Sequence, residues 1–180
     1  MILSQLGCVY HGVDIAPSAL EKARNSLLDY PTATLEKLNV VTGKVSGMYD
    51  AALDVMGFHM LVTDPDRMAY LKNAWSCLKN NAPMFFFREM CDENMHSGFI
   101  DTFEQWLAVS NHDYTTPRQL NYKIDGKEVE IQIPCVPGRS VNKASYTREL
   151  AEAGFIVDSI IEMPPSYKCG ESVSIYVHKP

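Results

Sequence analysis

The chain has 180 residues, 46% hydrophobic and 21% charged, with a formal net charge of -6. This fits one domain with enough apolar mass for a core. It argues against unspecific nucleic-acid binding, which needs a basic face. No apolar run approaches the roughly 20 residues of a membrane span, and Met1 to Leu6 is too short for a signal-peptide core, so no membrane association is expected. The five cysteines (Cys8, Cys77, Cys91, Cys135, Cys169) are scattered, with no C-x-x-C and no zinc spacing. They read as reduced thiols of a cytoplasmic protein, three or four of them in the core, and no metal is expected.

In chain order, Met1 to Gly7 reads as the last turn of a helix stopped by Gly7. Cys8 to Asp14 is an apolar strand ending on a carboxylate. Pro17 to Tyr30 is a helix, with Leu20, Ala23, Leu27 and Leu28 on one face. It can start either at Pro17 or through a Ser18/Glu21 capping box. Leu38 to Thr42 reads as a short second strand and Tyr49 to Val55 as a third. Asp64-Pro65-Asp66 opens a helix with Met68, Leu71, Ala74, Trp75 and Leu78 as its stripe. Met84 to Arg88 is a strand covered on both faces. Alternating strands and helices predict a parallel sheet.

The second half changes character. Phe99 to Val109 is a helix with Phe99, Phe103, Trp106 and Leu107 on one side. Leu120 to Ile133 alternates around Asp125-Gly126, a hairpin signal, and reads as an insertion outside the main sheet. Ser145 to Ala153 is a helix stopped by Gly154. Phe155 to Met163 and Ser172 to His178 are strands joined by a Pro-Pro-Ser-Tyr loop, too short for anything but antiparallel pairing. A carboxylate at the C-terminal tip of a parallel strand, just before a helix, is where doubly wound sheets hold ribose hydroxyls, which singles out Asp14.

Four segments in this order carry a resemblance to the class I S-adenosylmethionine-dependent methyltransferases over nearly the whole chain. They are Gly-Val-Asp-Ile-Ala-Pro-Ser-Ala-Leu-Glu-Lys-Ala-Arg from Gly12, Tyr-Asp-Ala-Ala-Leu-Asp-Val-Met-Gly-Phe-His-Met-Leu from Tyr49, the helix and strand from Tyr70 to Phe87, and Leu-Ala-Glu-Ala-Gly-Phe-Ile-Val from Leu150 with the final strand pair. The resemblance implies an α/β, Rossmann-like, doubly wound and mostly parallel sheet. It would carry an antiparallel C-terminal strand pair and an inserted β-hairpin at about 120–133. It implies S-adenosylmethionine as cofactor, S-adenosylhomocysteine as product and a small-molecule substrate. The sulfonium is already activated, so alignment supplies much of the rate, and no obligatory catalytic dyad is assigned.

One family feature is absent: the glycine-rich cofactor loop after the first strand. In dinucleotide folds the ribose acid follows that loop by about 20 residues, and counting back from Asp14 runs past Met1. Residues 1–180 are therefore expected to be one methyltransferase-like domain, N-terminally incomplete. Losing a central strand strands backbone hydrogen-bonding groups in mid-sheet. The resolutions are a missing N-terminal segment, completion by another copy (a homo-oligomer) or another polypeptide, or a sheet that closes without the strand. The alternative function is an inactive methyltransferase-like fragment or interaction module that binds no cofactor. A nicotinamide-dependent oxidoreductase fits the final strand pair less well.

By resemblance, the cofactor-binding candidates are Asp14 for the ribose, Ile15 and Val45 beside the adenine, Lys44 where the family carries an acid, and Asp54 near the transferable methyl. The substrate-pocket candidates are His59, a potential general base, with Arg88 and Glu89 at a strand tip. Each has a structural alternative: helix initiation for Asp14, core packing for Ile15, a solvated loop for Lys44, a helix-start histidine for His59, and a structural ion pair for Arg88 and Glu89. Asp54-Val-Met-Gly57 differs from the Asn/Asp-Pro-Pro-aromatic motif of enzymes that methylate base amines, which argues against that substrate. His112, Tyr114 and Arg118 fall in the irregular stretch that would cover the pocket.

Overall fold

The computed structural model of the chain describes residues 2–95, 98–110, 113–165 and 171–180. His112, Cys169 and the Ser166-Tyr167 half of the last loop lie outside them. A single helical turn, α1 (Ile2–Gln5), leads through Gly7 at φ +80° into β1 (Tyr10–Asp14). Then follow α2 (Pro17–Ser26), β2 (Ala33–Lys37), β3 (Ala52–Val55), a 3₁₀ turn (Phe58–Met60), α3 (Asp64–Cys77) and β4 (Pro83–Met90). The second half is α4 (Phe103–Ser110), β5 (Arg118–Ile124), β6 (Lys127–Ile133), α5 (Lys143–Glu152), β7 (Ile156–Met163) and β8 (Ser172–His178).

The parallel elements form two separate sheets. β1 pairs in parallel with β2 alone, while β3 and β4 pair in parallel and continue through antiparallel β8 and β7, in the order β3-β4-β8-β7. Among the described residues no strand lies between β1 and β3. The hairpin β5-β6 stands apart, turning on Asp125 and Gly126, both at positive φ as a two-residue I′ loop requires.

The four-stranded sheet has one covered face. Phe86, Ile175 and Ile160 sit side by side in register, and Met84, Val177 and Val157 form the next row. Leu71, Ala74 and Leu78 of the α3 segment and Tyr146 and Leu150 of α5 pack over them as the main core. The other face presents Leu53, Phe85 and Tyr176 in register, and Leu53, Val55, Tyr176 and Ile161 are 42–57% exposed.

Four elements begin or end where pairing and turn chemistry put them rather than where propensity pointed. The second strand is Ala33–Lys37, not Leu38 to Thr42, because register with β1 (Gly12 against Leu35) selects it. Asn39 then makes a turn, its side chain accepting from Val41 N and its carbonyl from Gly43 N. α2 stops at Ser26, leaving Leu28 exposed, and starts at Pro17 with no side-chain cap, so the Ser18/Glu21 box does not form. The cap of α3 is Thr63, which accepts from Asp66 N, one residue ahead of Asp64. α4 starts at Phe103 rather than Phe99. Of its aromatics only Trp106 is core, packed with Val62 and Ile100, while Phe99 and Phe103 are exposed. Of the four described cysteines, all free, only Cys77 and Cys91 are buried.

Charge also enters the core. Arg67 falls in phase with Leu71, Ala74 and Leu78 and is almost fully buried. Its Nε and Nη2 donate to Glu149 Oε2 on α5 at 2.9 and 2.6 Å, and its Nη1 donates to the Phe58 and Leu61 carbonyls. The guanidinium lies 3.9 Å from the Phe58 ring centre. Removing one member of such a pair strands the other in low dielectric, so Arg67→Ala is expected to cost about 3–5 kcal/mol in urea unfolding. Arg67→Met with Glu149→Leu should recover most of it; a single-variant loss under about 1 kcal/mol would show that the pair is not structural.

Candidate functional site

Three parallel-paired strands end at or beside candidate residues: β1 at Asp14, β3 beside Asp54 and β4 beside Glu89. At the end of β1, Asp14 is exposed and its Oδ1 accepts from Ala16 N at 2.7 Å, which fixes the turn into α2. Its Oδ2 takes no hydrogen bond among the described residues. Ile15 beside it is 60% exposed. Both structural and binding roles are open to Asp14 at once, because one oxygen orders the turn and the exposed side chain leaves the other without a hydrogen bond among the described residues.

At the end of β3, Asp54 is buried. Its Oδ1 accepts from Gly57 N at 2.8 Å and its Oδ2 from the Tyr70 hydroxyl at 2.5 Å. A Cβ at residue 57 would stand 2.6 Å from Asp54 Oδ1, so glycine is what lets the turn fold back over the carboxylate. Burial, and after it the nearby Glu89 charge, push the Asp54 carboxyl up to about 6. Burial and the same carboxylate push the Tyr70 phenol well above its usual range.

At the end of β4 a bulge between Phe86 and Glu89, with Arg88 at φ +59°, resets which residue faces inward. Glu89 becomes fully buried. Its Oε2 accepts from His59 N at 2.7 Å and meets His59 Nδ1 at 2.8 Å, while its Oε1 has no hydrogen-bond partner among the described residues. With Glu89 a carboxylate, Nδ1 carries the hydrogen and Nε2 is the free acceptor of the ring. His59 is itself buried, and its carbonyl accepts from Arg139 N at 2.8 Å. Arg139 pairs with Asp64 at 2.9 Å and donates to Val62 O and Gly98 O, strapping the segment after β6 across this edge.

The structure thus brings Asp54, His59 and Glu89 together. It does not pair Arg88 with Glu89. Arg88 Nη1 donates to Pro164 O at 3.1 Å and the guanidinium sits 5.7 Å from the Phe87 ring centre. Lys44 and Val45 are held elsewhere. Val45 N donates to Asn73 Oδ1 late in α3, and Tyr49 N to Cys77 O at that helix's end, ahead of β3. With Ser46, Gly47, Met48 and Ser76 they line a cavity of about 360 Å³, and no bond joins them to Asp14 among the described residues. Tyr114 packs against Trp106, and Arg118 is exposed at the start of β5. Gly57 lies in the Val55 to His59 turn that the resemblance puts near the transferable methyl, whereas Tyr70, in an apolar-patterned helix, and Arg139, whose partners are distant in sequence, carry no local signal. No group of three or more metal-ligating side chains occurs among the described residues, and no helix is long and apolar enough to cross a membrane.

No family model matches the sequence, and no curated protein matches it. Solved structures do match in fold. A methyltransferase from Methanosarcina mazei, described as dependent on S-adenosylmethionine, superposes with a TM-score of 0.69 at 13% identity, covering 99% of this chain and 85% of that one. One from Clostridium acetobutylicum gives 0.63 at 11%, covering 94% and 74%. The 1,6-didemethyltoxoflavin N1-methyltransferase of Burkholderia thailandensis, solved with its substrate and S-adenosylhomocysteine, gives 0.65 at 12%, covering 97% and 63%. The chain therefore has the Rossmann-like α/β fold of S-adenosylmethionine-dependent methyltransferases.

The raised Asp54 pKa has a signed consequence. The native state holds this proton more tightly than the unfolded chain, whose ordinary value is 3.8. The stabilisation is complete below about pH 4 and is lost as pH rises through about 6, a swing on the order of 2–3 kcal/mol. Between pH 4 and 8, wild type should lose urea stability relative to Asp54→Asn. Parallel curves would mean that Asp54 titrates normally.

Proposed function

We propose that this chain serves S-adenosylmethionine-dependent methyl transfer to a small molecule at the edge formed by the tips of β1, β3 and β4. The observation that carries the reading is an exposed carboxylate at the tip of β1, one of its oxygens unpaired among the described residues, in the fold of enzymes solved with this cofactor or its product. The residues present suit one half of that cofactor. Asp14 Oδ2 offers an acceptor for a ribose diol, and exposed Ile15 offers an apolar surface for a flat base. Lys44 and Val45, anchored to α3, fit the adenine less well. Arg88, turned onto Phe87 and Pro164, fits the acceptor less well than His59.

When bound, the cofactor supplies an electrophilic methyl on a sulfonium. The chain's own part is to orient the acceptor and hold the proton that it sheds. His59 is the group for that proton, since Glu89 fixes Nδ1 and leaves Nε2 free. Asp54 adds a second buried carboxyl close by, where it favours positive charge near the reacting centre. The acidic net charge and the absence of a Pro-Pro-aromatic turn after Asp54 support a small-molecule acceptor over nucleic acid. The four cysteines among the described residues are free, which suits a cytoplasmic setting.

Calorimetry with S-adenosylhomocysteine tests this reading. Micromolar binding is expected, weakened about 10- to 100-fold in Asp14→Ala by loss of hydrogen bonds to a charged acceptor. No heat at millimolar ligand would overturn it, as would binding indifferent to Asp14.

A further inference from the structure

We infer that the cavity between α3 and α5 is a binding site for a small organic ammonium ion with an apolar body. The cavity holds about 500 Å³, a volume suited to a small molecule. Its walls come from Asp64, Pro65, Arg67 and Met68 at the start of α3, from Phe99, and from Arg148, Glu149 and Glu152 of α5. None of them is among the strand-tip residues of the candidate site. The inference therefore stands or falls without the cofactor reading.

A carboxylate with an unmet bond carries the inference. Glu149 is 5% exposed. A guanidinium fork ordinarily takes both oxygens of a carboxylate. Here Arg67 Nε and Nη2 both land on Oε2, while Nη1 goes to the Phe58 and Leu61 carbonyls. Oε1 is left buried, with no hydrogen-bond partner among the described residues. A bare oxygen of this kind is unfavourable, and a cationic donor is the strongest partner it can take. The helix adds to the demand. Glu149 and Glu152 stand in the last turn of α5, which carries no basic residue, so two acids sit at the negative end of its dipole. A neutral hydroxyl would fill the bond to Oε1 but would not offset those acids. Arg148 is exposed, so solvent screens its charge, whereas Glu149 is shielded and decides the sign of the ligand. The rest of the wall is apolar: Pro65, Met68 and Phe99, the last 74% exposed. An ammonium on Glu149 would lay its carbon body there. A metal ion fits poorly. Asp64 is already taken by Arg139 Nη1 and Ile100 N, and no group of three or more metal-ligating side chains occurs among the described residues.

Titration of the 180-residue chain with benzylammonium and with benzyl alcohol, followed by amide chemical shifts, tests this. Benzylammonium should bind at least about 10-fold tighter than the alcohol, because only the cation makes a charge-assisted bond to a buried carboxylate. The shifts should centre on Met68, Phe99 and Glu149, and binding should weaken as salt is raised. Phe99→Ala and Glu152→Gln should each weaken it about 2- to 5-fold. Glu149→Gln removes the central charge but also breaks the pair with Arg67. The double variant Arg67→Met, Glu149→Leu leaves no buried charge unpaired, so it should keep a cooperative melt and lose the preference for the cation. Equal affinity for the alcohol, no binding at about 10 mM benzylammonium, shifts confined to other parts of the chain, or a cation preference that survives in the double variant would each overturn the inference.

Discussion

A single guanidinium fixes the geometry behind the candidate site. Arg67 donates to three residues at once: Glu149 of α5, and the Phe58 and Leu61 carbonyls of the turn that follows β3. That turn carries His59. The same cation lies on the Phe58 ring, which packs in turn against Tyr70, Phe86 and Tyr146. Two helices, the sheet and the turn are thereby locked to one buried charge. An apolar pair at 67 and 149 can match its stability, but it cannot hold two carbonyls of an irregular turn. The polar pair is therefore better explained by the positioning of residues 58–61 than by stability alone.

The turn so held closes a chain of buried acids. Asp54 takes the Gly57 amide and the Tyr70 hydroxyl, and Glu89 takes the His59 amide and ring. Burial first, and then the Glu89 charge close by, raise the proton affinity of Asp54, so its carboxyl moves up to about 6. Such an arrangement is costly if it serves packing alone. Glu89 even leaves one oxygen without a partner among the described residues. Polar groups held in this way at strand tips are what a reacting site needs: fixed in place, shielded from water, and able to exchange a proton near neutrality.

Much of the fold was legible in the sequence because its signals were local. The apolar run through Phe85, Phe86 and Phe87, the Asp125-Gly126 hairpin and the Pro-led helices at 17 and 65 each specify their element within a few residues. What was not legible depended on distant pairing. Ala33–Lys37 is a poorer strand sequence than Leu38 to Thr42, yet the register against β1 chooses it. The site shows the same division. Asp14, Asp54, His59 and Glu89 could be placed at strand tips by counting. That Glu89 would meet His59 rather than Arg88 depended on a bulge with a left-handed arginine, and no local pattern marks that position. Arg67 and Glu149 did leave a trace: charged residues in or beside the apolar stripe of a helix, 82 positions apart.

The divided sheet and the ordered site belong to one argument. The hydrogen-bonded Asp54, His59 and Glu89 sit on the β3-β4 side, where α3, α5 and the Arg139 strap supply partners. Toward β1 lie the edges of β1 and β3 that no described strand pairs, exposed Asp14 and Ile15, and the bare face of β3. A parallel sheet of this kind places its ligand where strand order switches, over the carboxyl ends of its central strands. Here Asp14 and Asp54 stand at the carboxyl ends of parallel strands, one in each sheet, and the first carboxylate is exposed while the second is buried and hydrogen-bonded.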